Sequence, residues 1–262
     1  MSRSKRSTST PMRGFFAPKF TPSSGWLMVA RILFMPTLYH HLGSNEWLCG
    51  RRKVHVVSTK EATMGVHDTV RNHERWPRLA ELVHDLAFLD GGHDAAFTLA
   101  SGRESRWFFD TKPVMMHPEA ASIMGELLNL RIQAMDASLV GGLELGAVPL
   151  TAIVITSPHA PRTLRGFMVR KNPKGRGGRK TNNPPGIEGT SLEAGGNVVI
   201  VEDVTTTGGS SIVAVERIHQ DTACQVVGVI SILDREEGAE AAFAEAGIPF
   251  ESLLTRSDIV AL

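Results

Sequence analysis

One stretch of the chain gathers side chains that can hold and position an anion. In Val198-Val199-Ile200-Val201-Glu202-Asp203-Val204-Thr205-Thr206-Thr207-Gly208-Gly209-Ser210-Ser211, four β-branched apolar residues predict a buried strand. Two carboxylates follow at its carboxyl end, where open α/β sheets bind their ligands. Hydroxyls and glycines then lead into a predicted helix. Gly208 and Gly209 let backbone N–H groups come close to an anion, and the helix N-terminus adds its positive dipole. Thr206, Thr207, Ser210 and Ser211 can donate hydroxyl hydrogen bonds. This is a phosphate cradle with acids beside it. No lysine follows the glycines as a Walker loop requires, and a GxGxxG fingerprint is absent. The acids would repel a bare polyphosphate. They make sense as acceptors for ribose hydroxyls or as neighbours of a divalent cation. The plainer alternative, an acidic helix start capped by Ser and Thr, does not require the whole order of strand, acid pair, loop and helix.

A second cluster is basic. Arg170, Lys171 and Lys174 fall within five positions, and cations aimed at a leaving group that gathers negative charge lower its barrier. A solvated basic loop is the alternative.

Periodicity places these groups on alternating elements. Trp76, Leu79, Leu82, Val83, Leu86 and Leu89 predict an amphipathic helix over 75–89, ended by Gly91-Gly92. A strand at 106–109 precedes a helix from Pro118 to about Met135. Then come a strand at 138–141, a helix from Pro149, a strand at 166–169 and a long loop over 171–186. The strand at 198–201 is followed by a helix at 210–219, a strand at 226–233, a helix at 236–246 and a last strand near Phe250. Strands alternating with helices imply a parallel sheet covered on both faces.

The 198–211 segment resembles the motif by which type I phosphoribosyltransferases bind phosphoribosyl pyrophosphate (PRPP). The resemblance assigns Glu202 and Asp203 to the ribose hydroxyls and Thr205, Thr206, Thr207, Gly208, Gly209 and Ser210, with Val204, to the 5-phosphate loop. Three further segments resemble the orotate phosphoribosyltransferases in particular. Phe97-Thr98-Leu99-Ala100-Ser101-Gly102-Arg103-Glu104-Ser105-Arg106-Trp107-Phe108-Phe109-Asp110 is similar to their amino-terminal signature, in which aromatics matching Phe108 and Phe109 cover the orotate ring. Phe167-Met168-Val169-Arg170-Lys171-Asn172-Pro173-Lys174 is similar to the start of their catalytic loop. Asp234-Arg235-Glu236-Glu237-Gly238 is similar to the stretch whose arginine, here Arg235, binds the orotate carboxylate, and the resemblance assigns Thr206 to orotate as well as to PRPP. Gly142-Leu143-Glu144-Leu145-Gly146 resembles the turn whose backbone N–H groups, from Leu143 to Gly146, meet pyrophosphate. The similarity spans about residues 75–262. It departs at four places: Ala100 and Leu145 stand where many members carry lysine, Arg176 replaces a loop histidine while still able to stabilise a phosphate oxygen, and Thr181-Asn182-Asn183-Pro184-Pro185-Gly186 forms a short insertion.

The resemblance implies an α/β type I phosphoribosyltransferase fold: a central parallel sheet flanked by helices, with a small hood built from 75–110 and the C-terminus. It implies transfer of ribose 5-phosphate to orotate with Mg²⁺, held mainly by PRPP and water. It also implies a homodimer with shared active sites, since in that family the loop matched by Lys171 and Lys174 closes over the site of the twofold partner. A phosphoribosyltransferase for another base and a PRPP-binding regulator are the alternatives.

Composition sets the remaining bounds. Residues 74–262 are read as the catalytic domain and 1–73 as an extension without a core. No acidic residue occurs before Glu46, a bias shared by organelle transit peptides and disordered tails, and Met64 is a possible alternative start. A net charge of +1 gives no global field for nucleic acid. The two cysteines, Cys49 and Cys224, suggest neither a disulfide framework nor a zinc site and fit a reducing cytoplasm. The most apolar run, 26–38, is broken by Arg31 and Pro36, so no membrane span is expected.

Overall fold

The computed structural model describes residues 39–43, 46–49, 52–55, 70–92, 97–98, 104–173 and 180–262. The chain divides into two compact units, Met1–Val57 and Ser58–Leu262. In the first, strands β1 (Tyr39–Gly43), β2 (Glu46–Cys49) and β3 (Arg52–His55) form an antiparallel sheet in chain order.

The second unit begins its described part ahead of residue 74. Val70 is buried, and Arg71 makes two 2.7 Å hydrogen bonds to Asp258. Helix α1 (Trp76–Ala87) buries Leu79, Leu82 and Val83, the face its spacing predicts. The helix stops two residues short of the expected end. Phe88 opens strand β4 (Phe88–Asp90), which pairs antiparallel with β7 (Trp107–Phe109), and this leaves Leu89 exposed. Between them lie the short strands β5 (Phe97–Thr98) and β6 (Glu104–Ser105), paired with each other. Helices α2 (Lys112–Met115) and α3 (Pro118–Ala134) follow. Pro118 takes the first turn of α3, and the His117 ring accepts from the Ala120 N–H to cap it.

The remaining elements are β8 (Leu139–Gly141), α4 (Ala147–Thr156), β9 (Arg165–Val169), β10 (Ile187–Gly189), β11 (Gly196–Thr205), α5 (Gly209–Asp221), β12 (Cys224–Asp234), α6 (Ala239–Glu245), β13 (Phe250–Thr255) and α7 (Arg256–Val260). Helix α4 starts ahead of Pro149, since a proline in the first turn breaks no helical hydrogen bond. Helix α6 starts later than expected because Glu236 and Gly238 both adopt positive φ, 56° and 104°, in the turn after β12. Helix α7, not anticipated, carries a reciprocal cap between Thr255 and Asp258.

Six strands form the central sheet in the order β10-β9-β8-β11-β12-β13, all parallel except β10, which runs antiparallel to β9. The period of two along β11 divides the core. Val199 and Val201 join α3 and α4 on one face, while Val198 and Ile200 join α5 and α6 on the other. Helix α1 packs on α2 and α7, and the Trp76 indole donates to the Leu253 carbonyl at 2.7 Å. The hood therefore draws on both ends of the unit, as expected. Among the described residues no helix is long and apolar enough to cross a membrane.

Candidate active site

Strand β11 runs on through Thr205, so Glu202 and Asp203 lie inside its carboxyl end. As neighbours in a strand they point to opposite faces. Glu202 turns toward α5, where its Oε2 accepts from the Ser211 hydroxyl at 2.8 Å. Asp203 turns toward the hood, where its Oδ2 accepts from the Thr111 hydroxyl at 3.0 Å. Burial, together with the nearby Asp203 charge, pushes the Glu202 pKa up to about 8 against the opposing Ser211 hydrogen bond. Ser211 was expected to face a phosphate. It is instead buried and committed to Glu202.

Beyond the acids the chain turns through Thr206, Thr207 and Gly208 into α5. Gly208 sits at φ 81°, the left-handed region glycine tolerates, and no side chain caps the helix. The first N–H groups of α5 thus border a cavity of about 90 Å³ lined by Glu202 and by residues 204–211. Thr207, Gly209 and Ser210 are exposed, Thr206 is half-buried, and the buried Thr205 hydroxyl has no hydrogen-bond partner among the described residues.

The turn after β8 comes up beside Asp203. A Cβ placed on Gly146 would run into the Asp203 carboxylate, which would have to move away, so glycine lets the two stand in this close approach. Leu143 is buried and forms a bridge to Val169, the Glu144–Leu145 peptide is cis, and the Leu145 side chain is exposed. The expectation that every N–H from Leu143 to Gly146 meets an anion is corrected at Glu144, whose N–H donates to the Val169 carbonyl at 2.7 Å. The Glu144 carboxylate accepts from the Lys171 N–H at 2.8 Å and lies 3.7 Å from Arg170 Nη1. Arg170 is also 3.7 Å from Glu188, and its carbonyl accepts from the Arg217 guanidinium. The Lys171 side chain is exposed. Lys174 and Arg176 lie outside the described residues, as do residues 99–103 of the aromatic signature.

Arg235 stands at the end of β12 and is buried. Its backbone N–H donates to the Thr205 carbonyl at 2.9 Å, which ties it to the phosphate loop. Its Nη2 donates to Ser105 Oγ at 3.1 Å and the Trp107 carbonyl at 3.2 Å, and pairs with Glu237 at 2.8 Å. The guanidinium carbon is 6.0 Å from the Phe109 ring centre. Phe108 and Phe109 do not share a face. Phe109 is buried and stacked on Phe88 with ring centres 5.2 Å apart, while Phe108 lies beside Phe97 at 5.6 Å. Strand alternation separates them, so the two phenyl rings cannot together cover one flat ligand.

Thr111, Lys112 and the Gly146 approach were not read from the sequence as parts of this site. A hydroxyl and a cation directly after an aromatic strand were the available signal. The contact of Thr111 and Gly146 with Asp203, and with it the position of Lys112, depends on how the hood is placed over β11, which local spacing does not encode.

No family model matches the chain. It is 44% identical over 185 residues to an orotate phosphoribosyltransferase of Rhodopseudomonas palustris strain BisB5, covering 70% of this chain and 95% of that protein. Among solved structures, the Mycobacterium tuberculosis H37Rv orotate phosphoribosyltransferase in complex with Fe(III) dicitrate superimposes with a TM-score of 0.60 at 34% identity, over 70% of this chain and 98% of that one. The M. tuberculosis enzyme in complex with PRPP gives a TM-score of 0.57 at 32% identity, over 71% and 98% of the two chains.

Proposed function

This chain belongs to the orotate phosphoribosyltransferase family, and from that premise we propose how its residues share the transfer of ribose 5-phosphate from PRPP to orotate. The reaction yields orotidine 5′-phosphate and pyrophosphate and serves pyrimidine nucleotide synthesis. The observation that carries the assignment is the backbone hydrogen bond from Arg235 to Thr205, which roots Arg235 next to the phosphate loop while its buried guanidinium reaches Ser105 and the Trp107 carbonyl in the hood.

Glu202 and Asp203 accept the ribose hydroxyls, and the 5-phosphate occupies the 90 Å³ cavity at the start of α5. Leu145 and Gly146 offer their N–H groups to pyrophosphate. Arg170, Lys171, Lys174 and Arg176 stabilise the charge that gathers there as the bond from ribose C1 to pyrophosphate breaks and the bond to orotate N1 forms. Arg235 binds the orotate carboxylate, and Phe109 supports the guanidinium from the core side. No side chain has to act as a covalent nucleophile.

Magnesium belongs to this reading. The ion would be carried mainly by PRPP oxygens and water, with the half-buried Asp203 carboxylate, beside the turn assigned to pyrophosphate, as the protein group nearest to it. When bound it offsets charge on the pyrophosphate oxygens. We also place the protein in the cytoplasm, where a reduced, buried Cys224 is at home, and assign it a dimer in which the basic loop of each subunit serves the other subunit's site. The function is tested by pyrophosphate release from PRPP with orotate, uracil, adenine and hypoxanthine offered in turn. Release with orotate alone supports it. Release with another base, or PRPP binding without release, contradicts it.

A further inference from the structure

We propose that Lys112 is an additional cation of the site and that its ammonium group binds the pyrophosphate end of PRPP. This rests on the PRPP reading above. Thr111 and Lys112 follow the last hood strand and lead into α2. Thr111 is buried, and its hydroxyl holds Asp203 Oδ2 at 3.0 Å. The other carboxylate oxygen of Asp203 lies against Gly146. One carboxylate therefore joins three parts at a point: the hood, the ribose end of β11 and the turn that faces pyrophosphate. Lys112 is the next residue after Thr111.

The turn itself brings no cation. Its side chains are Leu143, Glu144 and Leu145, and Glu144 is an anion that accepts the Lys171 N–H and faces Arg170. Arg170 and Lys171 approach the turn from its Glu144 side, whereas Lys112 follows the Thr111 that holds Asp203 and feels the Asp203 charge, so it adds a cation from the hood side. The Lys112 side chain is 58% exposed and makes one 2.9 Å ion pair with Asp110. An exposed pair of this kind is weak, and a flexible ammonium stem can exchange one acceptor for another. The Asp110 hydrogen bond raises the Lys112 pKa, and the Asp203 charge acts in the same direction, so the amine stays protonated while it waits. A polyphosphate carries more charge than the Asp110 carboxylate and displaces it.

The test uses inorganic pyrophosphate with Mg²⁺, titrated calorimetrically into the full-length protein and its Lys112→Met, Lys112→Arg and Asp110→Asn variants. Steady-state KM values for PRPP and orotate are measured alongside. Lys112→Met is expected to weaken pyrophosphate and PRPP on the order of tenfold, as for loss of one charge-assisted contact, and to leave the orotate KM unchanged. Lys112→Arg restores most of the affinity. Asp110→Asn breaks the same surface pair but keeps the cation, so its pyrophosphate affinity stays equal or rises. Equal affinity in Lys112→Met and the parent overturns the proposal. So does a loss in Asp110→Asn that matches Lys112→Met, because the ion pair would then act by shaping the hood. The titration requires no turnover. A parent protein that binds pyrophosphate through Lys112 but spares orotate would sink the functional reading and leave this one standing.

Discussion

Adjacent carboxylates in one strand have different surroundings here. Glu202 is 8% exposed and faces α5, while Asp203 sits between the Thr111 hydroxyl and Gly146. A folded pKa near 8 for Glu202, against an ordinary 4.5, means that the folded protein binds a proton there more tightly than the unfolded chain. The contribution of Glu202 to stability is thus intact below pH 4.5 and declines as pH rises through about 8. Without PRPP, stability should fall across that window by up to about 1.4 kcal/mol per pH unit from this group. Glu202→Gln should remove that slope, as seen by urea denaturation at pH 5 and pH 8. Parallel pH dependences in parent and variant would show that the carboxyl ionises without cost. Arg235 allows a second test at this scale. Arg235→Ala should raise the orotate KM by the equivalent of about 2–4 kcal/mol, the range for a buried charged hydrogen bond, with little change for PRPP. Arg235→Lys keeps the charge but loses the planar fork and should recover only part. An equal loss of PRPP affinity would move Arg235 out of the base site.

Legibility changed from element to element. The 198–211 segment could be read because strand, acids, loop and helix start are local and consecutive, and each has a residue signature. Its refinements came from tertiary placement. The strand continued through both acids because Glu202 and Val204 pair with Ser231 and Leu233 of β12. Ser211 left the phosphate for Glu202, and Phe108 and Phe109 separated because a strand alternates. The hood strands β4 to β6 span two or three residues each, too few for any periodicity to register. The insertion at 181–186 also has an order that its polar composition conceals. Asn183 is 4% exposed, donates to the Thr190 carbonyl at 2.7 Å and accepts from the Leu192 N–H at 2.8 Å, which pins the returning limb of the basic loop to its own subunit. Asn183→Ala should therefore cost about 1–3 kcal/mol of folding stability by stranding buried backbone groups. A change below about 0.5 kcal/mol in chemical denaturation, the scale of surface substitutions, would mean that the limb is not anchored there.

At the scale of the whole molecule, the Lys171 N–H is held by Glu144 of its own chain, so Lys174 is the better probe of exchange between subunits. In the proposed dimer, Lys174→Ala and Asp203→Ala homodimers should each be nearly inactive. Random exchange makes about half of the dimers mixed, and one site in each mixed dimer then has an intact loop and an intact acid pair, so roughly a quarter of all sites should recover. Mixed dimers, confirmed by two tags, with no more activity than the mean of their parents would place each loop over its own site. The catalytic assignments presuppose that the phosphate cradle and Arg235 serve one reaction. The most direct measurement is the ultraviolet absorbance of orotate in the presence of the protein, PRPP and Mg²⁺, with pyrophosphate followed in the same sample. The account predicts that orotate absorbance falls only when PRPP is present, with one pyrophosphate released for each orotate lost. Unchanged orotate absorbance, while PRPP is bound or hydrolysed, would contradict it.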